Sequence, residues 1–385
     1  MSKELSESVS LLTKYIEDNN YRGYDPYDAL KSPLFRLPVL RSNKILRFLS
    51  QQFVKRAPIN LRSVLFIKKG YNPVAIGLCI QAYAYQYALA TKKADMFLQK
   101  IKFLTHELEL LIPSGFSGAC WGYDFDWEAR NAKIPAYQPT VVATGIITNA
   151  LYNAYVITGI TKCRELVISS AEFILKDLNR YYVEDSFIFS YSPFDQQKVF
   201  NASMKGVRLL AQAFALTNYE LFKVEATKAL NFVLKYQDAD GSWPYSLASE
   251  GGWIDNYHSG YILDCLDEYA TLTNDTTIEH TLKKGYEFYA KHFVTEEGIP
   301  PFYHNKIYPV DCTSASQSIL TLCRYGDTDK AMKVAKWMMD NMQSEKGNFY
   351  FRKFRHYTIK TSFMRWSDAW MFVALSYLQL KLSKA

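Results

Sequence analysis

The feature that most constrains this sequence is a repeat of six apolar segments rich in small residues, each opened by a polar residue or a proline. The segments begin at Asn72, Pro139, Asn201, Asp255, Asp311 and Ser367. Successive starts lie between 54 residues (201 to 255) and 67 residues (72 to 139) apart, which is too long for one helix and suits a helix pair with a loop. The spacing therefore predicts six helical hairpins.

A second class of segment lies between these repeats and is amphipathic, with lysine-rich faces. Its members cover roughly 41–57, 91–111, 162–180, 219–236, 276–293 and 328–342. The first class is apolar nearly all round, which is typical of helices buried on every side, so we expect an inner and an outer set. The links from inner to outer helices are short, and those from outer to inner helices are long. The long loops therefore lie together at one end. The sequence therefore predicts an all-α fold, an (α/α)6 toroid, and favours this closed ring over an open α-solenoid.

The N-terminal region differs from the repeats. Residues 1–38 are expected to form a charged amphipathic helix and a proline-flanked segment that wraps onto a toroid domain of residues 39–385. The first helix lacks the apolar core of a signal peptide, and no uninterrupted apolar stretch is long enough to cross a membrane. Six cysteines without a C-x-x-C pair indicate a reduced protein, so we expect a cytoplasmic location and no transmembrane segment.

Composition excludes several function classes. The chain has only 17 glycines and neither the Rossmann nor the P-loop glycine motif, which argues against nucleotide chemistry. The formal net charge is +7, but no long run of Lys and Arg marks a nucleic-acid surface, so no nucleic acid is expected as a partner. The mild positive excess suits an anionic ligand, and an ordinary soluble surface is the alternative.

The long loops share a theme of a turn, an aromatic pair and the polar opening of the next inner helix. A funnel walled by Trp and Tyr, with hydrogen-bonding groups between them, is typical of sugar binding. The loop and helix-start residues expected to contact substrate are Trp121, Tyr123, Asp124, Trp127, Arg130, Tyr191, Asn201, Trp243, Tyr245, Trp253, Asn256, Asp311, Arg365, Trp366 and Asp368. For part of the aromatic set, packing between loops is the alternative.

The fourth loop and inner helix carry the densest group of candidate catalytic residues. Asp255 and His258 open that helix, and we expect Asp126 opposite them with Tyr303 or His304 beside them. Carboxylates from different hairpins would then face one another across the funnel, as acid–base chemistry on a glycoside requires. Asp255 as a simple helix N-cap and His258 as a core histidine are the alternatives.

Seven segments of the chain carry a resemblance to a known family. They are YRGYDPYDALKSP (21–33), CWGYDFDWEAR (120–130), YSPFDQQKVFNAS (191–203), DGSWPY (240–245), WIDNYHSGYILD (253–264), YHNKIYPVDCTSASQ (303–317) and MRWSDAWMF (364–372). In these segments the chain resembles a family of α/α-toroid proteins encoded beside capsular and exopolysaccharide biosynthesis genes. The resemblance spans nearly the whole chain. It implies a role in surface-polysaccharide metabolism, with enzymes of that pathway as partners, and assigns no catalytic residue.

Two wider groups of toroids are also similar. WID at 253–255 and DCTSAS at 311–316 look like the helix openings of six-hairpin glycosidases and of uronate-processing lyases and epimerases. Terpene cyclases and protein prenyltransferases share a Gln-Trp repeat resembled by residues 228–243, and the DNYHSGYIL segment resembles a zinc-histidine helix with His258 at the metal position. The cyclase D-x-D-D acid and the D-x-C zinc ligands are missing, so we expect neither a metal nor a cofactor.

The leading prediction is a carbohydrate-active enzyme that processes an acidic sugar or oligosaccharide by hydrolysis, elimination or epimerisation. Six inner-helix N-termini directed at one funnel favour a carboxylate-bearing ligand, which Arg130 and Arg365 are expected to hold. A toroid that binds a glycan or a partner enzyme without catalysis is the first alternative. A terpenoid or prenyl-transfer enzyme is the second.

Overall fold

The described part of the chain, residues 3–128 and 133–384 of a computed structural model, is mainly helical. Its α-helices are α1 (Lys3–Asp18), α2 (Pro38–Ser42), α3 (Lys44–Arg56), α4 (Pro73–Leu89), α5 (Ala94–Leu110), α6 (Val141–Thr158), α7 (Thr161–Lys176), α8 (Phe200–Thr217), α9 (Glu220–Leu234), α10 (Asn256–Thr273), α11 (Glu279–His292), α12 (Cys312–Arg324), α13 (Thr328–Met342) and α14 (Trp370–Leu382). Short 3-10 helices cover Asp28–Lys31, Pro33–Arg36 and Ser249–Gly251, and a π-helix covers Met364–Ala369.

Six of these helices form a closed inner ring. Helices α4, α6, α8, α10, α12 and α14 each pack against the next, and α14 returns to pack against α4. The first turns of α4, α6 and α8 are buried on every side, as the all-round apolar pattern requires. The predicted toroid of six hairpins is confirmed. The open solenoid is wrong, because the last inner helix contacts the first.

Glycines allow neighbouring inner helices to approach closely. A Cβ atom on Gly145 of α6 would lie 2.6 Å from the Lys205 Cβ on α8. On Gly260 of α10 it would lie 2.6 Å from the Gln317 Cγ on α12. Ring closure therefore depends on the absence of a side chain at these helix contacts.

The outer layer contains one element that the sequence pattern misassigns. Helices α5, α7, α9, α11 and α13 each pack on the inner helix before them, as predicted. The sixth outer position, predicted for 41–57, is occupied by α1, which packs between α13 and α14. Helix α3 instead packs on the 3-10 turn Asp28–Lys31 and on residues 127–128 at the loop end of the ring. Both helices are amphipathic, so only tertiary packing distinguishes them. The domain boundary at residue 38 stays a prediction.

Helix α6 is long and apolar enough to cross a bilayer by length and composition. It is 18 residues long, and 67% of it is buried inside the protein. An inner helix of the toroid must be apolar and buried in the same way, so this property is weak evidence for a membrane span.

Short strands shape the loop end of the ring. They are β1 (Trp127–Glu128), β2 (Lys133–Ile134), β3 (Arg180–Val183), β4 (Ser186–Phe189), β5 (Val310–Asp311), β6 (Arg352–Lys353) and β7 (Thr358–Ile359). Strands β1–β2 and β3–β4 are antiparallel pairs, and β5, β6 and β7 form an antiparallel sheet in that order. In this sheet Asp311, which opens α12, lies opposite Arg352.

Gly145→Ala tests the close approach of α6 and α8. The added methyl group overpacks the contact with Lys205, and we expect a loss of about 1–3 kcal/mol in the free energy of unfolding. The cost of overpacking should outweigh the roughly 1 kcal/mol by which Ala is favoured over Gly inside a helix, so the variant should be less stable than the wild type. Chemical denaturation measures it. Gly252→Ala is the control, because nothing lies within 4 Å of its Cβ position, and it should change stability by less than about 0.5 kcal/mol. A stabilising Gly145→Ala would show that the contact does not limit the ring.

Candidate functional site

The centre of the candidate site is the Asp255–His258 pair at the start of α10. One Asp255 oxygen accepts the His258 backbone N–H (3.1 Å) and so caps the helix. The other lies 2.7 Å from His258 Nδ1 and accepts the Trp253 indole N–H (3.0 Å). The N-cap prediction for Asp255 is therefore correct for one oxygen, while the second oxygen positions the imidazole. Because Nδ1 faces the carboxylate, Nε2 is the nitrogen left to exchange a proton.

Burial separates the roles of these two residues. The Asp255 side chain is 1% exposed, whereas the His258 side chain is 17% exposed. Solvent therefore reaches part of the imidazole and almost none of the carboxylate. The geometry makes His258 the candidate acid or base and Asp255 its positioning partner.

Aromatic rings surround this pair. Tyr245 and Trp253 stack at 4.5 Å with 15° between their planes, and Trp253 is 41% exposed. The His258 ring lies 4.6 Å from Tyr245 and 4.0 Å from Tyr257. Tyr303 pairs with Asp255 through a backbone bridge. Burial raises the pKa of each of these tyrosines, so their hydroxyls stay protonated at neutral pH. The platform and the candidate acid–base group therefore lie side by side.

Asp311 caps α12 and forms the second carboxylate cluster. Its side chain accepts from the Thr313 backbone N–H (3.0 Å) and the Trp366 indole (3.0 Å). Arg352 donates twice to it, from Nε (2.9 Å) and Nη2 (2.7 Å). Asp311 is fully buried and saturated with donors, so it fixes Arg352 and Trp366 instead of facing a ligand.

Trp366 connects the two clusters. Its ring centroid lies 5.8 Å from that of Tyr257 and 5.7 Å from that of Tyr27. Tyr27 in turn lies 5.8 Å from Trp127. The predicted residues Trp127, Trp253 and Trp366 thus belong to one continuous aromatic surface at the loop end of the ring.

Lys55 of α3 is a member of this surface that sequence reasoning missed. Its ammonium group lies 4.0 Å from the Tyr27 ring centroid and 5.7 Å from that of Trp366. It also donates to the Tyr27 hydroxyl. Burial, reinforced by the nearby Arg352 guanidinium, lowers the pKa of Lys55 to about 7. The sequence pattern assigns α3 to the outer layer, which would place Lys55 away from the loop end. With α3 at the loop end, Lys55 lies among basic and aromatic residues.

Arg365 makes a contact other than the predicted anion clamp. Its Nε and Nη2 donate to the two Asp25 oxygens at 2.6 and 2.9 Å, and both residues are buried. Arg62 similarly donates to Asp28 (2.8 Å) in the same N-terminal segment. These pairs tie residues 25–28 to the last inner helix and to the chain before α4. Arg130, the other predicted clamp, lies outside the described residues.

The acidic loop before α6 is held by contacts of its own. Asp124 accepts from Lys31 (2.8 Å) and Asn72 (2.7 Å), and so joins the loop to the start of α4. Asp126 accepts the Ala136 backbone N–H (2.8 Å). Among the described residues, the Asp126 side chain contacts Ala136 and not Asp255, so the predicted pairing across the funnel stays a prediction.

Several predicted substrate-binding residues are almost completely buried. Trp121 and Trp243 donate to the backbone carbonyls of Leu108 (2.9 Å) and Val233 (3.2 Å). Asn256 is fully buried and donates to a carbonyl at 3.0 Å. These side chains stabilise the loops and offer little surface to a ligand.

The remaining candidates lie around the same end of the ring. Tyr123 stacks on Phe125 and lies 4.8 Å from the Arg365 guanidinium, and Tyr191 packs 6.0 Å from Trp127. Asn201, which is 3% exposed, has a side-chain oxygen without a hydrogen-bond donor among the described residues. Tyr123 and Tyr191 lie in the loops before α6 and α8, and Asn201 lies in the first turn of α8.

His304 lies on the side of the loop that faces the outer helices. Its Nδ1 is 3.3 Å from the Ile254 carbonyl, and its ring lies 6.2 Å from Phe288 and 6.4 Å from His292 of α11. Of the two candidates, Tyr303 pairs with Asp255 through its backbone, whereas His304 contacts the neighbouring Ile254.

A small cavity lies on the axis of the ring. It has a volume of about 30 Å³, and its polar lining comes from all six inner helices through Gln81, Asn149, Arg208, Asp264, Gln317 and Tyr377. Arg208 Nε, which is buried, has no hydrogen-bond partner among the described residues. The volume matches about one water molecule and excludes a sugar ring. The aromatic surface at the loop end is therefore the better candidate site.

Comparison with known proteins identifies the fold. No protein-family model matches the sequence, and no curated protein matches it either. Solved structures do match. Cellobiose 2-epimerase from Spirochaeta thermophila is 11% identical, with a TM-score of 0.61 over 81% of this chain and 86% of its own.

Two further structures agree with this similarity. Unsaturated glucuronyl hydrolase from a Bacillus species is 10% identical, with a TM-score of 0.62 over 97% of this chain and 95% of its own. A family 76 α-mannanase from Bacteroides thetaiotaomicron is 12% identical, with a TM-score of 0.57 over 81% of this chain and 86% of its own. At these identities the similarity shows the six-hairpin α/α-toroid fold.

Asp368→Asn tests the electrostatics of the last inner helix. Burial raises the pKa of Asp368 to about 7, although the side chain accepts from the Phe349 N–H and Ser362. The folded state therefore binds more protons than the unfolded state between about pH 4 and about pH 7, and stability falls as pH rises through this range. For each unit of pH rise in this range, the free energy of unfolding of the variant should increase by up to about 1.4 kcal/mol relative to that of the wild type.

Chemical denaturation at several pH values measures this difference. Gly252→Ala is the control, because it changes no titratable group, and its difference from the wild type should stay flat with pH. Parallel pH profiles for Asp368→Asn and the wild type would contradict the assigned burial of the carboxyl group.

Proposed function

We propose that this chain is a carbohydrate-active enzyme whose proton-transfer group is His258, positioned by Asp255. The observation that carries the proposal is the pair itself: a buried carboxylate 2.7 Å from an accessible imidazole, beside a stacked aromatic platform. The toroids that share its fold support a sugar substrate, since they include an epimerase of cellobiose, a glucuronyl hydrolase and a mannanase.

The hydrogen bonds of the buried carboxylates favour some of the three predicted reactions over others. Hydrolysis of a glycoside ordinarily uses two carboxyl groups that both reach the scissile bond. Asp255 and Asp311 are buried and already accept from several donors, so neither suits that role. A single accessible imidazole suits removal of a proton from a carbon next to a carbonyl or carboxylate. Among the three predicted reactions, we therefore favour epimerisation or elimination over hydrolysis.

The proposed chemistry balances with this one group. Neutral His258 Nε2 accepts the C–H proton, and the electron pair moves into the adjacent carbonyl or carboxylate to form an enolate. In epimerisation the enolate turns its other face to the protonated His258, which returns the proton to the carbon on that face. In elimination the electron pair expels the group on the neighbouring carbon, and that group takes the proton from His258 as it leaves. The hydroxyls of Tyr245 and Tyr257, whose rings lie against His258, remain protonated and can donate to the developing oxyanion.

The walls of the site support a sugar with an acidic group. Tyr245 and Trp253 present the flat surface on which the C–H face of a pyranose stacks. Lys55 lies 5.7 Å from the Trp366 ring of the aromatic surface, and the Asp311-bound guanidinium of Arg352 lies 4.8 Å from the Phe302 ring. A bound carboxylate would favour the charged form of Lys55. We therefore propose a uronic acid or another acidic sugar of surface-polysaccharide metabolism.

A groove beside the site has room for further sugar units. It has a volume of about 560 Å³ and lies between the loops that contain Gln138, Gln197 and Leu247. Lys133 and Lys198 add positive charge to it, and Asp195 adds one negative charge. This volume lies in the range of ordinary ligand sites, which supports an oligosaccharide over a monosaccharide.

His258→Gln and Asp255→Asn test the proposed roles. Gln cannot act as a base, so turnover of uronic-acid oligosaccharides should fall at least about 10²-fold. Asn caps a helix about as well as Asp, so the melting temperature should change little. In Asp255→Asn the amide group faces Nδ1 of His258 and favours the tautomer with its proton on Nε2, which cannot accept a proton there. Turnover should therefore fall to a similar degree. Product analysis by mass spectrometry and thermal denaturation measure the two effects.

The control for these variants is His106→Gln on α5, an exposed histidine far from α10 in the ring. It should leave turnover unchanged. Wild-type turnover in Asp255→Asn would make Asp255 a helix cap alone. Unfolding of His258→Gln would make His258 a core residue and overturn the proposal.

The charge of Lys55 should make the binding of acidic oligosaccharides depend on pH. Since its pKa is about 7, its ammonium group is charged below that pH and neutral above it. Uronic-acid oligosaccharides should therefore bind more tightly at about pH 6 than at about pH 8.5, by up to about tenfold. Titration calorimetry measures this, and Lys55→Met should flatten the dependence. Neutral oligosaccharides serve as the control. Binding of neutral sugars without binding of uronates would overturn the acidic substrate.

The stacked platform also favours a second function, glycan binding without catalysis. An exposed Trp253 over Tyr245 binds a sugar ring whether or not a reaction follows. Tight binding by the wild type without turnover of any acidic or neutral oligosaccharide, together with unchanged binding by His258→Gln, would favour this function.

A further inference from the structure

The segment from residue 34 to residue 66 exposes an unusual amount of apolar surface. Of the 24 large hydrophobic side chains that are exposed in the described part of the chain, nine lie here. They are Leu34, Leu37, Val39, Ile45, Leu49, Phe53, Ile59, Val64 and Phe66. Their exposed fractions run from 43% to 74%. Scattered single residues of this kind are ordinary, but a concentration in one segment marks an interaction surface.

Helix α3 forms the centre of this surface. Ile45, Leu49 and Phe53 are spaced four residues apart, lie along one face and are 67%, 55% and 67% exposed. The opposite face carries the buried residues Gln51 and Val54, which pack toward the rest of the protein. In a helix of a soluble core the apolar face points inward. On α3 the apolar face points outward, so it is available to bind a partner.

The charge of the segment indicates what that partner is. Residues 29–94 contain no Asp or Glu. Around the apolar stripe the exposed basic residues are Arg36, Arg41, Lys44, Arg56, Lys68 and Lys69. The surface therefore combines exposed apolar side chains with positive charge and supplies no carboxylate of its own.

We propose that this surface, residues 34–69 centred on α3, binds the surface of an anionic lipid bilayer. A helix with an apolar face and flanking Lys and Arg lies in the interface between headgroups and acyl chains, and anionic lipids add attraction for each basic side chain. A second copy of the chain fits less well. A two-fold contact would bring two positive surfaces together with no acidic residue from this segment between them.

The position of α3 connects this surface with the candidate site. Gln51 donates to the Tyr27 carbonyl (2.8 Å), and Lys55 donates to the Tyr27 hydroxyl. The face of α3 opposite the apolar stripe thus contacts the aromatic surface described above. Binding to a bilayer would hold that site close to the lipid headgroups. This inference stands on the exposed surface and does not require the proposed reaction.

Vesicle flotation of the full chain tests the proposal. The probes are vesicles of phosphatidylcholine alone and vesicles in which a third of the lipid is phosphatidylglycerol. We expect partitioning to the anionic vesicles to be at least about tenfold stronger at low salt, and to weaken as salt screens the charges. Equal binding to both vesicle types, or no binding to either, would overturn the proposal.

Two double variants separate the apolar and the charged contributions. Leu49→Gln with Phe53→Gln removes the apolar stripe, and Arg41→Gln with Arg56→Gln removes two positive charges. All four side chains are exposed, so the melting temperature should stay unchanged. Each pair should weaken partitioning by about tenfold or more.

The matched controls lie on the outer helices. Leu221→Gln with Val224→Gln replaces two exposed apolar residues of α9, and Lys102→Gln with Lys283→Gln removes two exposed charges. Neither pair should change partitioning, and an equal loss in the controls would overturn the assignment to α3. Sedimentation velocity adds a further outcome. A dimer that Leu49→Gln with Phe53→Gln converts to a monomer would identify the surface as an interface between copies and overturn membrane binding.

Discussion

Closure of the inner ring, where α14 packs against α4, is the constraint on which the rest of the structure depends. A closed ring of six hairpins gathers the N-termini of the inner helices and the long loops at one end. It also requires side-chain-free contacts such as that of Gly145 with α8. The chain completes the outer layer with α1, which leaves α3 at the loop end, where it borders the candidate site.

Helix capping and site construction use the same residues. Asp255 and Asp311 each accept a backbone N–H at the start of an inner helix, and each binds a side chain of the candidate site with its remaining capacity. Asp255 binds His258, and Asp311 binds Arg352. These carboxylates are buried and fully bonded, so they fix geometry, while His258 is partly exposed and burial lowers the pKa of Lys55 to about 7.

The sequence predicts the features that depend on local spacing. The six apolar segments reveal the hairpins, and Asp255 lies three residues before His258, so their proximity follows from the helix itself. Long-range contacts were not predictable. Arg365 binds Asp25 across 340 residues, and the amphipathic patterns of α1 and α3 do not show which helix joins the outer layer. Burial of Trp121 and the pKa of Lys55 depend on the same tertiary packing.

A crystal structure with a bound uronic-acid oligosaccharide tests the central claim most directly, namely that His258 and the Tyr245–Trp253 platform form one sugar site. The account predicts a sugar ring stacked on this platform. It also predicts a ring C–H carbon within about 3.5 Å of His258 Nε2 and the sugar carboxylate toward Lys55. A sugar bound only in the groove near Gln138 and Leu247, with His258 shielded from it, would contradict the account.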